Sequence, residues 1–331
     1  MSVLQNRFGA PPFSVLNTQL GYWQSRKKQW ISELGIKSEL GRNEGLAYSY
    51  SAQGTHIYEL RNKMREEMKR EPTWEEIKNE AERKKMHTFT GTSIFDPFLC
   101  ELLYTWFSQE NDSILDPFCG GSVRGVVASQ MKRKYLGIDL RAEQVKANYS
   151  NLRTIRKKTK GRYPKPNWIA GDSTELESIL GSEQMFDFVF SCPPYFSLEK
   201  YSDDKKDLST QSTLEFIRNY RSIIKQSCKR LKENRFACFI VSNVRCKDTG
   251  VYQNLVQETI DAFKLAGLEY YNEFILVNAI GSLPIRMSRP FNKSRKNGRL
   301  HQNVLVFYKG DTANMNLLPI QYKDFLENAI K

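Results

Sequence analysis

From about residue 88 onward, short apolar runs alternate with stretches whose apolar residues recur every three or four positions. The runs at 113–118, 135–140, 167–171, 186–192 and 237–244 have strand length and are rich in Ile, Leu, Val and Phe. Helical periodicity fills 97–108, 121–132, 141–156, 213–232 and 252–266 between and after them. Such alternation predicts an α/β fold built on a doubly wound, mostly parallel sheet. Two later runs, 269–279 and 302–308, are joined without a helical crossover. They are therefore expected to pair as a C-terminal antiparallel hairpin.

Residues 1–86 have a different texture, polar and aromatic, with predicted helices at 57–69 and from Thr73 to about Lys85. Thr73 and Glu76 have capping-box spacing, in which each side chain satisfies the other's orphan amide. The pattern predicts an N-terminal helical extension over 1–86 and a main domain over 87–331. Within the extension, Trp23, Arg26, Lys27, Lys28 and Trp30 either anchor it to the core or face a polyanion.

Composition narrows the classes. The chain has 331 residues, 40% of them hydrophobic, and no uninterrupted apolar stretch of the roughly 18 residues that a membrane span needs. The first residues lack the layout of a secretory signal, so a cytoplasmic location is expected and no membrane partner. Cys100, Cys119, Cys192, Cys228, Cys238 and Cys246 show no metal-type pairing, and with His56, His87 and His301 as the only histidines no metal site is expected. A net charge of +13 favours a polyanionic partner. Between Ile285 and His301 the chain carries Arg286, Arg289, Lys293, Arg295, Lys296 and Arg299 with no acid, together with Pro290, Asn292, Asn297 and Gly298. That composition predicts a mobile basic loop and a phosphate contact.

Candidate chemistry clusters at the strand ends, where parallel α/β sheets bind ligands. The first core strand ends in Asp116-Pro117-Phe118-Cys119-Gly120-Gly121-Ser122, a turn whose glycines let backbone approach a ligand closely. The second ends in Asp139, placed to accept ribose hydroxyls, and the third in Gly171-Asp172, placed to reach an adenine amino group. The chain has neither a GxGxxG run nor a GxxxxGK[ST] run, which points away from a dinucleotide or a nucleoside triphosphate. The fourth strand runs into Ser191-Cys192-Pro193-Pro194-Tyr195, a rigid loop suited to a flat, amine-bearing substrate.

Ile114 to Phe118, Gly137-Ile138-Asp139 and Cys192 to Tyr195 resemble the motifs of the DNA amino-methyltransferases, over roughly residues 90–310. The stretch from Gly281-Ser282 through Arg295-Lys296 to His301-Gln302-Asn303 is similar to that of phage and prophage methylases. The resemblance implies the Rossmann-like class I methyltransferase fold, S-adenosylmethionine as cofactor, DNA as partner, and methyl transfer to adenine N6 or cytosine N4 of a flipped base. It assigns cofactor contacts to Asp116, Phe118, Gly120, Asp139 and Asp172, and a closing element over the methionine end to Thr92 and Ser93. It assigns catalysis to Cys192, Pro193, Pro194 and Tyr195.

In this family the first catalytic position is usually Asp, Asn or Ser, and the glycine turn usually reads Gly-Ser-Gly-Thr. A thiol hydrogen-bonds weakly, so the amine is expected to rest chiefly on the Pro193 carbonyl with help from Ser191, and the base to stack on Tyr195 with Phe196. Glu199, Lys200, Tyr201, Asp203 and Asp204 either order the base or form a solvated turn. RNA or protein-glutamine methylation, and a DNA-binding regulator without catalysis, remain as alternatives from the same residues.

Overall fold

The computed structural model describes residues 2–36, 55–84, 95–181, 183–246, 248–281, 283–320 and 322–326. In chain order the elements are α1 (Val3–Phe8), β1 (Val15–Asn17), α2 (Gly21–Leu34), α3 (Thr55–Met68), α4 (Trp74–Arg83), α5 (Pro97–Phe107), β2 (Ser113–Asp116), α6 (Val123–Gln130), β3 (Lys134–Asp139), α7 (Ala142–Lys158) and β4 (Asn167–Ala170). There follow α8 (Leu176–Leu180), β5 (Phe186–Ser191), α9 (Thr213–Arg230), β6 (Leu231–Val241), β7 (Val244–Arg245), β8 (Tyr252–Gln253), α10 (Leu255–Leu265), β9 (Glu269–Val277), α11 (Leu283–Ser294) and β10 (His301–Lys309).

Eight strands form one sheet in the order β1-β9-β10-β6-β5-β2-β3-β4. The five strands from β4 to β6 are parallel, and β10 enters antiparallel between β6 and β9. The doubly wound sheet with its antiparallel hairpin is thus the one the hydrophobic pattern predicts. Successive residues of the central strands point to opposite faces. Ile114, Phe188 and Phe190 pack on the face covered by α5 and α6, whereas Leu115 and Val189 pack on the face covered by α9 and α10. Two caps fix where helices begin. Asp96 accepts from the Phe98 and Leu99 amides ahead of Pro97, and Ser212 forms a capping box with Glu215 at the start of α9.

The chain divides into two compact units, one comprising residues 1–41, 94–277 and 301–331, the other 42–93 and 278–300. The boundary expected at residue 86 is therefore redrawn. Residues 15–17 pair with β9 and extend the sheet, and α2 buries Trp23 and Trp30 in the core beside α5. The Trp23 indole donates to Asp96 (3.1 Å) and that of Trp30 to Glu101 (2.6 Å), while Arg26 makes a two-pronged ion pair with the fully buried Glu101. These aromatic and basic residues thus act as anchors.

In the second unit α3 and α4 pack Ile57, Leu60, Ile77 and Ala81 together, and Thr73 and Glu76 form the expected capping box. The same unit corrects the expected basic loop, because residues 283–294 are helical. Pro284 suits a first helical turn, where no intrahelical partner is needed for its missing N–H, and the interior Pro290 is accommodated. The helix stops at Arg295, whose φ of 54° is left-handed. Residues 295–300 alone keep the irregular conformation expected of the whole segment.

Candidate active site

Asp116, the last residue of β2, is fully buried. Its Oδ2 accepts from Arg124 Nε (2.6 Å) and the Tyr135 hydroxyl (2.7 Å), and its Oδ1 from the Ser191 hydroxyl (2.5 Å) and the Phe118 amide (3.2 Å). Arg124 also donates to the carbonyls of Phe118 (2.7 Å) and Cys119 (3.0 Å), closing the turn from both sides. Burial alone would pull this guanidinium down, but Asp116 outweighs it and holds Arg124 charged. The pair is a staple inside the loop. Asp116 therefore shapes the turn from within and does not present a free carboxylate.

The turn it shapes is open on its outer side. Gly120 has a φ of +49°, and a Cβ built there would meet nothing within 4 Å. Its carbonyl accepts from Asn148 of α7 (2.8 Å), and the Cys119 amide donates to Ile138 of β3 (3.0 Å). Phe118 is half-buried and packs against Tyr220 and Phe239. At Gly137 the constraint is space, because a Cβ would lie 2.6 Å from that of Cys119.

Asp139 and Asp172 differ from Asp116 in remaining part-exposed, with side chains 15% and 18% accessible. Asp139 Oδ1 accepts the Arg141 amide (2.9 Å) at the end of β3. Asp172 Oδ1 caps the short turn after β4 through the Thr174 amide (2.9 Å), and its Oδ2 faces Lys206 Nζ at 3.8 Å. Of the three expected strand-end acids, Asp139 and Asp172 are part-exposed and Asp116 is closed.

The second loop leaves β5 beside the first. Cys192 is half-buried, its Sγ 3.6 Å from the Tyr195 hydroxyl. Burial pushes the Cys192 thiol up more than the Arg124 charge draws it down, so it stays protonated and is a poor nucleophile. Pro193 is buried and Pro194 half-buried. The Tyr195 hydroxyl accepts from Gln302 Nε2 of β10 (2.8 Å) and donates to the Ile240 carbonyl of β6 (3.3 Å).

Two expected helpers are corrected. Ser191 is fully buried and turned toward Asp116 and the Phe118 amide, away from any substrate. Phe196, with a φ of +49°, is buried with its ring 4.4 Å from Phe216, so it packs the core and is not a stacking surface. Beyond it, the segment containing Glu199, Lys200, Tyr201, Asp203 and Asp204 is a self-bonded turn: Tyr201 donates to Glu199 (2.9 Å), Lys200 pairs with Asp203, and the Asp204 amide caps on Ser202 (3.3 Å).

The structure thus brings Asp116, Phe118, Gly120, Asp139, Asp172 and the tetrapeptide Cys192 to Tyr195 into one compact unit. Arg286, Arg289, Lys293, Arg295, Lys296 and Arg299 belong to the other, and Thr92 and Ser93 lie outside the described residues. Sequence reasoning missed Arg124, Tyr135 and Gln302. Arg124 carried a signal, since it is the one charged residue of α6.

Residues 18–150 match the family described as DNA methylase, in keeping with the motif resemblance, and the match begins well inside the segment read as an extension. A type II methyltransferase, M2.LlaDCHI of Lactococcus lactis subsp. cremoris, is 43% identical over 49 residues, which is 15% of this chain and 18% of that protein's length. Similar solved structures include TrmN of Thermus thermophilus (12% identity, TM-score 0.40, over 65% of this chain and 49% of that one). Another is a TehB-like SAM-dependent methyltransferase of Corynebacterium glutamicum (16% identity, TM-score 0.40, over 70% of this chain and 97% of that one).

Proposed function

We propose that this chain is a DNA methyltransferase that uses S-adenosylmethionine to methylate the exocyclic amine of a base, adenine N6 or cytosine N4. One observation carries the reading: in a chain that matches DNA methylases, two part-exposed acids and the Cys192–Tyr195 tetrapeptide stand at the carboxyl ends of β3, β4 and β5.

The residues present fit the cofactor. Asp139 holds ribose hydroxyls, and Asp172 receives the adenine amino group in exchange for its long contact with Lys206. The open space over Gly120 takes the ligand against backbone. The bound cofactor supplies an electrophilic sulfonium methyl group. The chain's own task is to present the amine, whose lone pair is otherwise shared with its ring. The Pro193 carbonyl accepts an amine hydrogen and the Cys192 thiol offers a weaker second acceptor, which favours a pyramidal, nucleophilic nitrogen. Tyr195, with its hydroxyl fixed by Gln302 and Ile240, offers a ring face to a base flipped out of the duplex. On α11, Arg286, Arg289 and Lys293 recur at three- and four-residue spacing and so share a face for backbone phosphates. Among the described residues no helix is long and apolar enough to cross a membrane.

The test is transfer from tritiated S-adenosylmethionine to unmethylated genomic DNA, followed by digestion and nucleoside mass analysis. N6-methyladenine or N4-methylcytosine is the expected product and identifies the base. Cofactor binding without transfer to DNA, but with transfer to RNA or protein, overturns the assignment.

A further inference from the structure

The chain from Ser197 to Gln211 and the first two turns of α9 line an open cleft of about 720 Å³. That volume lies within the range of about 300–1,000 Å³ usual for ligand pockets. It begins two residues after Tyr195, the last member of the tetrapeptide.

Most of the walls are satisfied from within. The Ser209 hydroxyl donates to Asp207 (2.7 Å) and accepts the Tyr201 amide (3.2 Å), and the Thr210 hydroxyl donates to the Asp207 carbonyl (2.9 Å). Asn219 donates to Gln211 (3.0 Å), Lys200 pairs with Asp203, and Glu215 is engaged by the capping box at Ser212. Two cations are left over. Among the described residues the exposed Lys205 and Arg218 make no side-chain hydrogen bond or ion pair, although Glu215 feels the field of Arg218. The lining residues Lys200, Lys205 and Arg218 against Asp203 and Glu215 give one net positive charge, and every lining side chain is polar.

This chemistry selects its ligand. A cleft without an aromatic or aliphatic wall offers no stacking surface for a base, and its spare donors are charged. It suits a hydrated group with one negative charge, which is what the sugar and phosphodiester of a nucleotide present. We propose that the cleft binds the backbone of the nucleotide next to the methylated one, with Lys205 and Arg218 on its phosphate. The proposal rests on the reading of the chain as a DNA methyltransferase. A strand whose target base lies against Cys192–Tyr195 then carries its neighbouring phosphate into the adjoining cleft, which holds the backbone while the base is extruded.

The experiment measures methyl transfer onto sheared, unmethylated genomic DNA over a range of potassium chloride concentrations. It compares the full chain with its Lys205→Gln/Arg218→Gln variant and with a Lys225→Gln/Lys264→Gln control of equal charge loss on α9 and α10. Loss of the cations from that one phosphate lowers the salt dependence of kcat/KM by about 0.9 in log–log slope. The KM for DNA is expected to rise roughly tenfold, with kcat and calorimetric cofactor affinity unchanged, and the control to behave as wild type. An unchanged slope in an active variant, an equal drop in the control, or a parallel loss of cofactor affinity overturns the cleft assignment and leaves the methyltransferase reading standing. Absence of transfer by the wild-type chain overturns both.

Discussion

The turns after β2 and β5 stand side by side at the same end of the sheet, yet they are secured by different means. The first is built round a buried ion pair: Asp116 has four donors, and Arg124 returns its remaining hydrogen bonds to the turn's own carbonyls. The second is held by neutral contacts to one hydroxyl, from Gln302 and to the Ile240 carbonyl, with a half-buried thiol beside it. Charged hydrogen bonds in a dry site are roughly twice as strong as neutral ones. The turn after β2 is therefore fixed by charged bonds, whereas the loop after β5 is held by bonds weak enough to rearrange. Ser191 links the two, since it belongs to β5 but donates to Asp116.

The largest expected effect tests the rigid side. Arg124→Met leaves a buried carboxylate without its counter-ion and should cost about 3–5 kcal/mol in chemical denaturation, with cofactor binding lost. A loss below 1 kcal/mol would show that the pair is not what holds the turn. Next comes Asp139→Ala, which deletes an open acid and leaves the staple intact. Cofactor affinity measured by calorimetry should fall about 10- to 100-fold, the equivalent of a charged hydrogen bond, with the melting temperature unchanged.

The adjustable side predicts smaller changes. Gln302→Leu and Tyr195→Phe should each lower kcat about fivefold, roughly 1 kcal/mol, with cofactor affinity unaffected. The double variant should lose little more than Tyr195→Phe alone, because the bond between Gln302 and Tyr195 is already absent from each single variant; additive losses would place Gln302 outside the tyrosine's support.

The smallest effect comes from the far end of β5. Burial pushes the Asp187 carboxyl up, but Lys232 and the Ser113 amide and hydroxyl outweigh it and hold it at about 2. A folded-state value below the unfolded one, about 3.9, adds stability at higher pH that disappears as the pH falls from about 4 to about 2. Denaturation of Asp187→Asn across that interval should show a flatter pH dependence than wild type, with methyl transfer at neutral pH unchanged.

How much of this was legible follows from what sets each feature. Strand ends and their acids were readable, because Asp139 and Asp172 directly follow apolar runs. Which acid is closed was not: the groups that seal Asp116 come from α6, β3 and β5, and their convergence is tertiary. Trp23 and Trp30 lie seven residues apart, two helical turns, and that spacing was the sign of a buried face on α2. In α11 one interior proline does not outweigh a helix whose first turn holds Pro284, so breaker residues alone do not mark a loop.

The second compact unit is assembled from two stretches of chain more than 180 positions apart, 42–93 and 278–300. Its engineering is consequently bipartite. A chimera that exchanges one stretch with a relative leaves the other facing a foreign half, so homologous exchange has to carry both inserts together. Substitutions in one of the two stretches are accordingly expected to be compensated by substitutions in the other.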